Sequence, residues 1–316
     1  MAQDGLSLKE MTPRAPSPCR RVSVLGLALV ALVGNPWGEL SFTAGFSGRA
    51  LSSRRRGGPG CDRGVARAAK GGASVLPTLY VYEHCRFCIR ARTLLGLKGV
   101  RYNLVWFQND DVQTPTKLVG RKVVPILELP GQAPMPESLD IVKRVDEDPE
   151  WGPPLLKPAS DREDLQAWVK KTSMTFRCLL RPRVALGFFP EFAFKRARDA
   201  YVMNHPVPDP ETRESPEKES WKKLGPDTWN AWYAAHLANS EALVKELQEP
   251  IAELESLIHS EESVSPGGLS YDDITFFDSL RAASQVKGLE FGPKALAYMK
   301  SMSKRSDVAL LFDIAT

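Results

Sequence analysis

The chain has 316 residues, 43% of them hydrophobic and 25% charged, with five Cys and a formal net charge of +4. That composition excludes a disordered or fibrous chain, and the length allows one to three domains with ample core. The positive charge invites a nucleic-acid or membrane partner, but it is unevenly placed. Residues 1–74 carry eleven Lys and Arg against four Asp and Glu, whereas residues 75–316 carry 31 against 34. The basicity belongs to the leader, so neither nucleic acid nor stable membrane insertion is expected of the mature chain.

Within the leader, Val22 to Val33 is a continuous apolar run behind Arg20 and Arg21. It is too short for a comfortable membrane span of about 20 residues and has the form of a secretory signal. Residues 41–74 are rich in Ser, Gly, Ala and Arg, with Asp62 as their sole acid, the composition of a transit peptide. The tandem resembles the bipartite presequences of algae with complex plastids, which makes a plastid the expected destination. A secretory signal alone or a mitochondrial address are the alternatives. Residues 1–74 are therefore read as a disordered targeting presequence.

Thr78-Leu-Tyr-Val-Tyr82 is β-branched and aromatic and predicts a strand. Ile89, Ala91, Leu94, Leu95 and Leu97 follow as the apolar positions of a helix. Between them lie Cys85 and Cys88, one in the turn and the other in the first helical turn. Two further cysteines, Cys19 and Cys61, are in the leader, and Cys178 stands alone in an apolar helical setting as a buried, inert thiol. A structural zinc normally takes four ligands. Cys85, Cys88, Cys178 and scattered His do not supply that pattern, so no metal is expected. A strand–turn–helix C-x-x-C instead suits redox chemistry. Unpaired N–H groups and the positive end of the helix dipole stabilise a thiolate at Cys85. The three-residue offset lets Cys88 reach back to form a disulfide. Arg86 adds a positive charge that favours the thiolate. His84 would do so when protonated, but is read as a solvated turn residue.

Lys122-Val-Val-Pro-Ile-Leu-Glu-Leu129 reads as a second strand entered through Val124-Pro125, with Pro125 either trans on an edge or cis. In Met135-Pro-Glu-Ser-Leu-Asp-Ile-Val142, Ser138 is the expected N-cap of a helix whose core positions are Ile141, Val142 and Val145. Such a helix start is also an anion site. Residues 148–160 have the Pro density of a linker. Beyond it, from residue 161 to 316, the spacing is helical. Trp229, Trp232, Tyr233, Leu237, Leu243, Val244 and Leu247 keep helical periodicity as core residues, and Pro250 is expected to kink or split that helix. Residues 206–226, rich in Pro and charge, read as a surface loop. Ser270-Tyr-Asp-Asp273 is a capping-box pattern before a late buried helix.

Taken together, the chain from about residue 77 to its end resembles a glutaredoxin of the glutaredoxin-2 type. The likeness is carried by Leu79 to Cys88, Asn109 to Asp111, Thr114 to Thr116, Val119-Gly120, Val124 to Leu127, Met135 to Val142, Leu179 to Arg183 and Leu269 to Ile274. It implies an α/β thioredoxin-like domain over residues 75–147, a mixed sheet in the order βαβαββα, and an all-helical domain of the glutathione-transferase type over 161–316. In thioredoxin-like proteins the Val-Pro bond is cis and faces the cysteine turn, so cis is the expectation for Pro125.

The implied activity is glutathione-dependent thiol–disulfide exchange through Cys85 and Cys88 on glutathionylated or disulfide-containing proteins, by a monomer. Glutathione is implied as co-substrate. Val124 would pair with its cysteinyl backbone, Pro125 would fix that edge, and Glu137 and Ser138 would hold the γ-glutamyl end. Arg86, Arg121 and Lys122 are candidates for its glycine carboxylate. The chain departs from the family at Arg86, where Pro is usual. The alternatives are a glutathione transferase, which would present Ser or Tyr where this chain has Cys, and a non-enzymatic interaction module of the same fold.

Overall fold

A computed structural model describes residues 75–316, and the leader expectations lie outside those residues. Leu79 and Val81 alternate inward along β1 (Thr78–Val81), as a strand with one face on a core requires. Next come α1 (Arg86–Leu97), β2 (Asn103–Trp106), α2 (Gln113–Val119), β3 (Ile126–Glu128), β4 (Met135–Pro136) and α3 (Ser138–Glu147). The strands form one sheet in the order β2-β1-β3-β4. β1 runs parallel to β2 and antiparallel to β3, with Tyr80 opposite Ile126, and β3 and β4 are antiparallel. This is the expected mixed sheet.

Helix α1 has two working faces. Cys88, Ala91, Leu94 and Leu95 join Leu79, Val81, Leu127, Ile141, Val142 and Val145 in the core against the sheet. Ile89 joins the core of the helical half instead. In return, Ile274 from that half sits in the sheet core. The approach of α1 to the last helix is tight: a Cβ on Gly96 would lie 1.7 Å from the Ser306 carbonyl oxygen, so only glycine fits there.

The helical half comprises α4 (Glu163–Leu186), α5 (Lys195–Asn204), α6 (Lys218–Ala238), α7 (Ser240–Leu257), α8 (Tyr271–Ala283) and α9 (Pro293–Ser306). The segment joining α3 to α4 holds one short turn of 3₁₀ helix, Pro149–Trp151, and is pinned rather than loose. Buried Asp146 accepts from the Leu155 and Leu156 amides at 2.8 and 3.1 Å, and Lys157 bridges to Ser270.

Two expectations need correction. The stretch 206–226 is not all loop, because α6 begins at Lys218 and buries Trp221 completely, with its indole N–H donating to the Val202 carbonyl at 2.9 Å. The turn comes at Gly225, whose φ of 81° breaks the helix just before Pro226. Pro250 neither splits nor ends α7. Its carbonyl accepts the Trp168 indole N–H at 2.7 Å, and Pro250 and Ile251 are both buried on the face packed toward α4. Tertiary packing holds the helix through a residue that would break it in isolation.

The late helix is capped as its sequence predicts. Ser270 and Asp273 form a full capping box at the start of α8. Asp273 is entirely buried and also accepts from the Val264 amide at 2.7 Å and the Tyr298 hydroxyl at 3.0 Å. Among the described residues no helix is long and apolar enough to cross a membrane.

Candidate active site

Cys85 occupies the N-cap position of α1 and Cys88 lies in the first turn, fully buried, and both are free thiols. The Cys88 sulfur accepts from the Tyr82 amide at 3.5 Å. The two thiols are driven in opposite directions. A hydrogen bond from Cys88 is the largest influence on Cys85. Burial opposes it, the charge of His84 and the Cys88 and Phe87 amides assist it, and the thiol falls to about 7. Burial pushes the Cys88 thiol well up, and its neighbour Cys85 pushes it further. One sulfur is thus prepared to ionise while the other keeps its proton.

His84 is not a solvated turn residue. Its ring is stacked on Tyr82 and Phe192 and meets Tyr201 edge-on. Its Nδ1 lies 2.5 Å from Oε1 of Glu191, and its backbone amide donates to the same oxygen at 3.0 Å. Glu191 belongs to a short helical turn, Pro190–Phe192, between α4 and α5, and is wholly buried.

Arg86 is bound by the helical half. Its Nε donates to Asp278 of α8 at 2.7 Å, and its other end reaches Asp278 and the Ser279 hydroxyl. Arg90 pairs with the second Asp278 oxygen at 2.5 Å. With a buried carboxylate holding it, the Arg86 charge is largely spent on the helical half.

The Val124–Pro125 bond is cis, as the family resemblance implies, and Pro125 is buried beside β3. Ser138 is not the N-cap of α3. The first helical bond, from the Ile141 amide, ends on the Glu137 carbonyl at 2.9 Å, which places the cap at Glu137 and makes Ser138 the first helical residue, buried. Glu137 holds φ 74°, a left-handed value uncommon outside glycine and frequent at ligand clamps. Its exposed carboxylate pairs with Arg121 at 2.5 Å. Lys122 reaches the Asn109 carbonyl, and burial lowers its ammonium pKa.

A cavity of about 740 Å³ opens beside Cys85, within the range of small-ligand sites. Cys85, Arg86, Lys122 and Val124 line one side, and Trp168, Phe176, Arg181 and Tyr201 line the other. Arg121, Pro125, Glu137 and Ser138 lie off that lining. Among the described residues no cluster of three or more His, Cys, Asp or Glu is placed to hold a metal. Sequence reading missed Glu191, Asp278 and Arg281, for nothing in their local sequence links them to a turn roughly a hundred or more residues away.

Glutaredoxin 2 of Escherichia coli (strain K12) is 34% identical to this chain over 237 residues, which cover 75% of the chain and 99% of that protein. The chain belongs to the glutaredoxin 2 family. The family's sequence model described as "Glutaredoxin 2, C terminal domain" matches residues 226–315, and "Glutathione S-transferase, N-terminal domain" matches residues 79–154. The crystal structure of glutaredoxin 2 from Salmonella typhimurium, solved in complex with glutathione, superposes with a TM-score of 0.65 at 33% identity, covering 77% of this chain and all of that one. The glutaredoxin 2 likeness therefore extends over both the sheet half and the helical half.

Proposed function

We propose that this glutaredoxin 2 family member reduces mixed disulfides between proteins and glutathione, with Cys85 as nucleophile. The opposed shift of the two thiols carries the reading: Cys85 falls to about 7 at the mouth of a cavity while Cys88 stays protonated behind it. The Cys85 thiolate attacks the glutathionyl sulfur, that S–S bond breaks, and the substrate protein leaves as a thiolate that takes a proton. A second glutathione, as thiolate, then attacks the glutathionyl sulfur now on Cys85. Oxidised glutathione leaves and the Cys85 thiolate returns, so each turnover consumes one free glutathione and exchanges the protein–glutathione disulfide for that of oxidised glutathione. With a protein disulfide, Cys88 loses its proton and attacks Cys85 to release the substrate, and two glutathiones reopen the Cys85–Cys88 bond. Cys88 also stabilises the resting thiolate through its hydrogen bond.

Glutathione would lie along Val124 and Pro125 with its γ-glutamyl end toward Glu137 and Ser138. Among the three candidate cations, Lys122 would meet the glycine carboxylate: it lines the cavity and its partner is a neutral carbonyl, whereas Arg86 is paired with the carboxylate of Asp278 and Arg121 with that of Glu137. A transferase using Tyr82 is disfavoured: burial, the largest influence, pushes its phenol up, and its hydroxyl has no hydrogen-bond partner to activate it. Residues 1–74 would act as a removable address to a plastid, a reading that rests on their composition.

Turnover of a glutathionylated protein or peptide with glutathione and its reductase tests the proposal. Cys85→Ser should abolish it and Cys88→Ser should retain part of it. Activity surviving Cys85→Ser would sink the assignment.

A further inference from the structure

The buried carboxylate of Glu191 has no role in the chemistry proposed above. It is fully buried, its Oε1 receives both the Nδ1 and the backbone amide of His84, and its Oε2 has no hydrogen-bond partner. A carboxylate so placed needs a positive partner, since an uncompensated buried charge is strongly unfavourable. His84 is the residue it grips, and His84 immediately precedes the nucleophile in the chain. We infer that Glu191 is a positioning residue which, through His84, sets the reactivity of the Cys85 thiol. The helical half thereby supplies a component of the thiolate-forming device. This deepens the reading of Cys85 as nucleophile and rests on it.

The geometry gives the direction. Glu191 holds His84 twice, by the ring Nδ1 and by the backbone amide of the residue next to Cys85, while Phe192 and Tyr201 pack on the same ring. The charge of His84 acts on Cys85 to favour its ionised form. The other groups around the pair are fixed in charge. Burial pushes the Tyr82 and Tyr201 phenols up. Burial holds His205 down at about 3, and burial brings Arg281 to about 10, still protonated at neutral pH. Arg181, facing Tyr201 and His205, is lowered by burial from the high guanidinium range. Cys88, bonded to Cys85, keeps its proton.

The test is the pH dependence of Cys85 alkylation by iodoacetamide in the full reduced chain. Trypsin cuts after Arg86, which separates Cys85 from Cys88 in different peptides, so mass spectrometry reads Cys85 alone. In Glu191→Gln the Cys85 midpoint should rise by about one pH unit, roughly a tenfold loss of thiolate below the midpoint. His84→Asn should show a similar rise, and the double variant no more than either single one. Glu191→Asp, which keeps the carboxylate, should recover part of the shift. A midpoint in both Glu191→Gln and His84→Asn equal to that of the wild type would overturn the inference while leaving Cys85 as nucleophile. If Glu191→Gln does not fold, His84→Asn decides by the same criterion. A wild-type Cys85 that shows no ionisation below the ordinary thiol range would remove both readings together.

Discussion

A cysteine thiolate beside a buried thiol contributes to stability as well. The folded Cys85 ionises near 7, below the ordinary thiol value of 9. Its thiolate therefore favours the folded state fully above the unfolded value, and that contribution is lost as pH falls through about 7. His205, held neutral by burial with a pKa of about 3, acts in a lower window: its contribution is present above about 6.5 and fades as pH drops toward 3. The reduced protein should accordingly gain urea resistance between pH 7 and 8.5, while Cys85→Ser should be flat over the same interval. Matching slopes in the two proteins would show that Cys85 is not the source. Cys88, shifted the other way, offsets the gain only at the alkaline end, where the unfolded thiols ionise.

At the scale of elements, the capping box of α8 has the largest predicted effect. Asp273→Ala would remove the reciprocal cap and leave the Ser270 and Val264 amides and the Tyr298 hydroxyl without their shared acceptor. Lost caps and orphaned buried donors each cost on the order of 1–2 kcal/mol, so a loss of roughly 3 kcal/mol in urea unfolding is expected. Burial alone raises the Asp273 carboxyl, and its four bonding groups only partly oppose that. This cap was legible because all its signals lie within four residues. Strand β1, the cysteine turn and α1 were legible for the same reason, as short-range patterns of periodicity and turn chemistry. What the sequence hid was decided at long range. Pro250 stays helical because α4 packs on it, and Trp221 anchors the start of α6 in a buried cluster with its indole N–H on the Val202 carbonyl. The α3 cap moved one residue, from Ser138 to Glu137, because a left-handed backbone at Glu137 takes the position a serine normally fills. His84 and Arg86 were misjudged since their partners, Glu191 and Asp278, lie 107 and 192 residues away.

The two halves of the molecule meet at the cysteine turn. Three of its residues each hold a close polar contact across the seam. Glu83 meets Arg281 of α8 at 2.5 Å, His84 meets Glu191 at 2.5 Å, and Arg86 meets Asp278 at 2.6 Å. Burial alone would raise the Glu83 carboxyl, but Arg92 and Arg281 together bring it below the usual carboxylate range. Arg281 also binds the Glu83 carbonyl at 3.2 Å and that of Ala309 at 2.8 Å, which ties the turn to the chain beyond α9. Ile89 and Ile274 cross the same seam in opposite directions within the two apolar cores. A fragment of residues 75–160 would expose Ile89, lose Ile274, and take Arg281 from Glu83 and Glu191 from His84. The sheet keeps its own strands, but the turn loses the groups from the helical half that fix it. Such a fragment should unfold with a markedly lower urea midpoint than residues 75–316, and its mixed-disulfide turnover should fall by roughly tenfold or more as the thiol midpoint rises. A fragment with undiminished turnover at neutral pH would mean that the thioredoxin-like half prepares Cys85 unaided, and that the contacts across the seam are structural only.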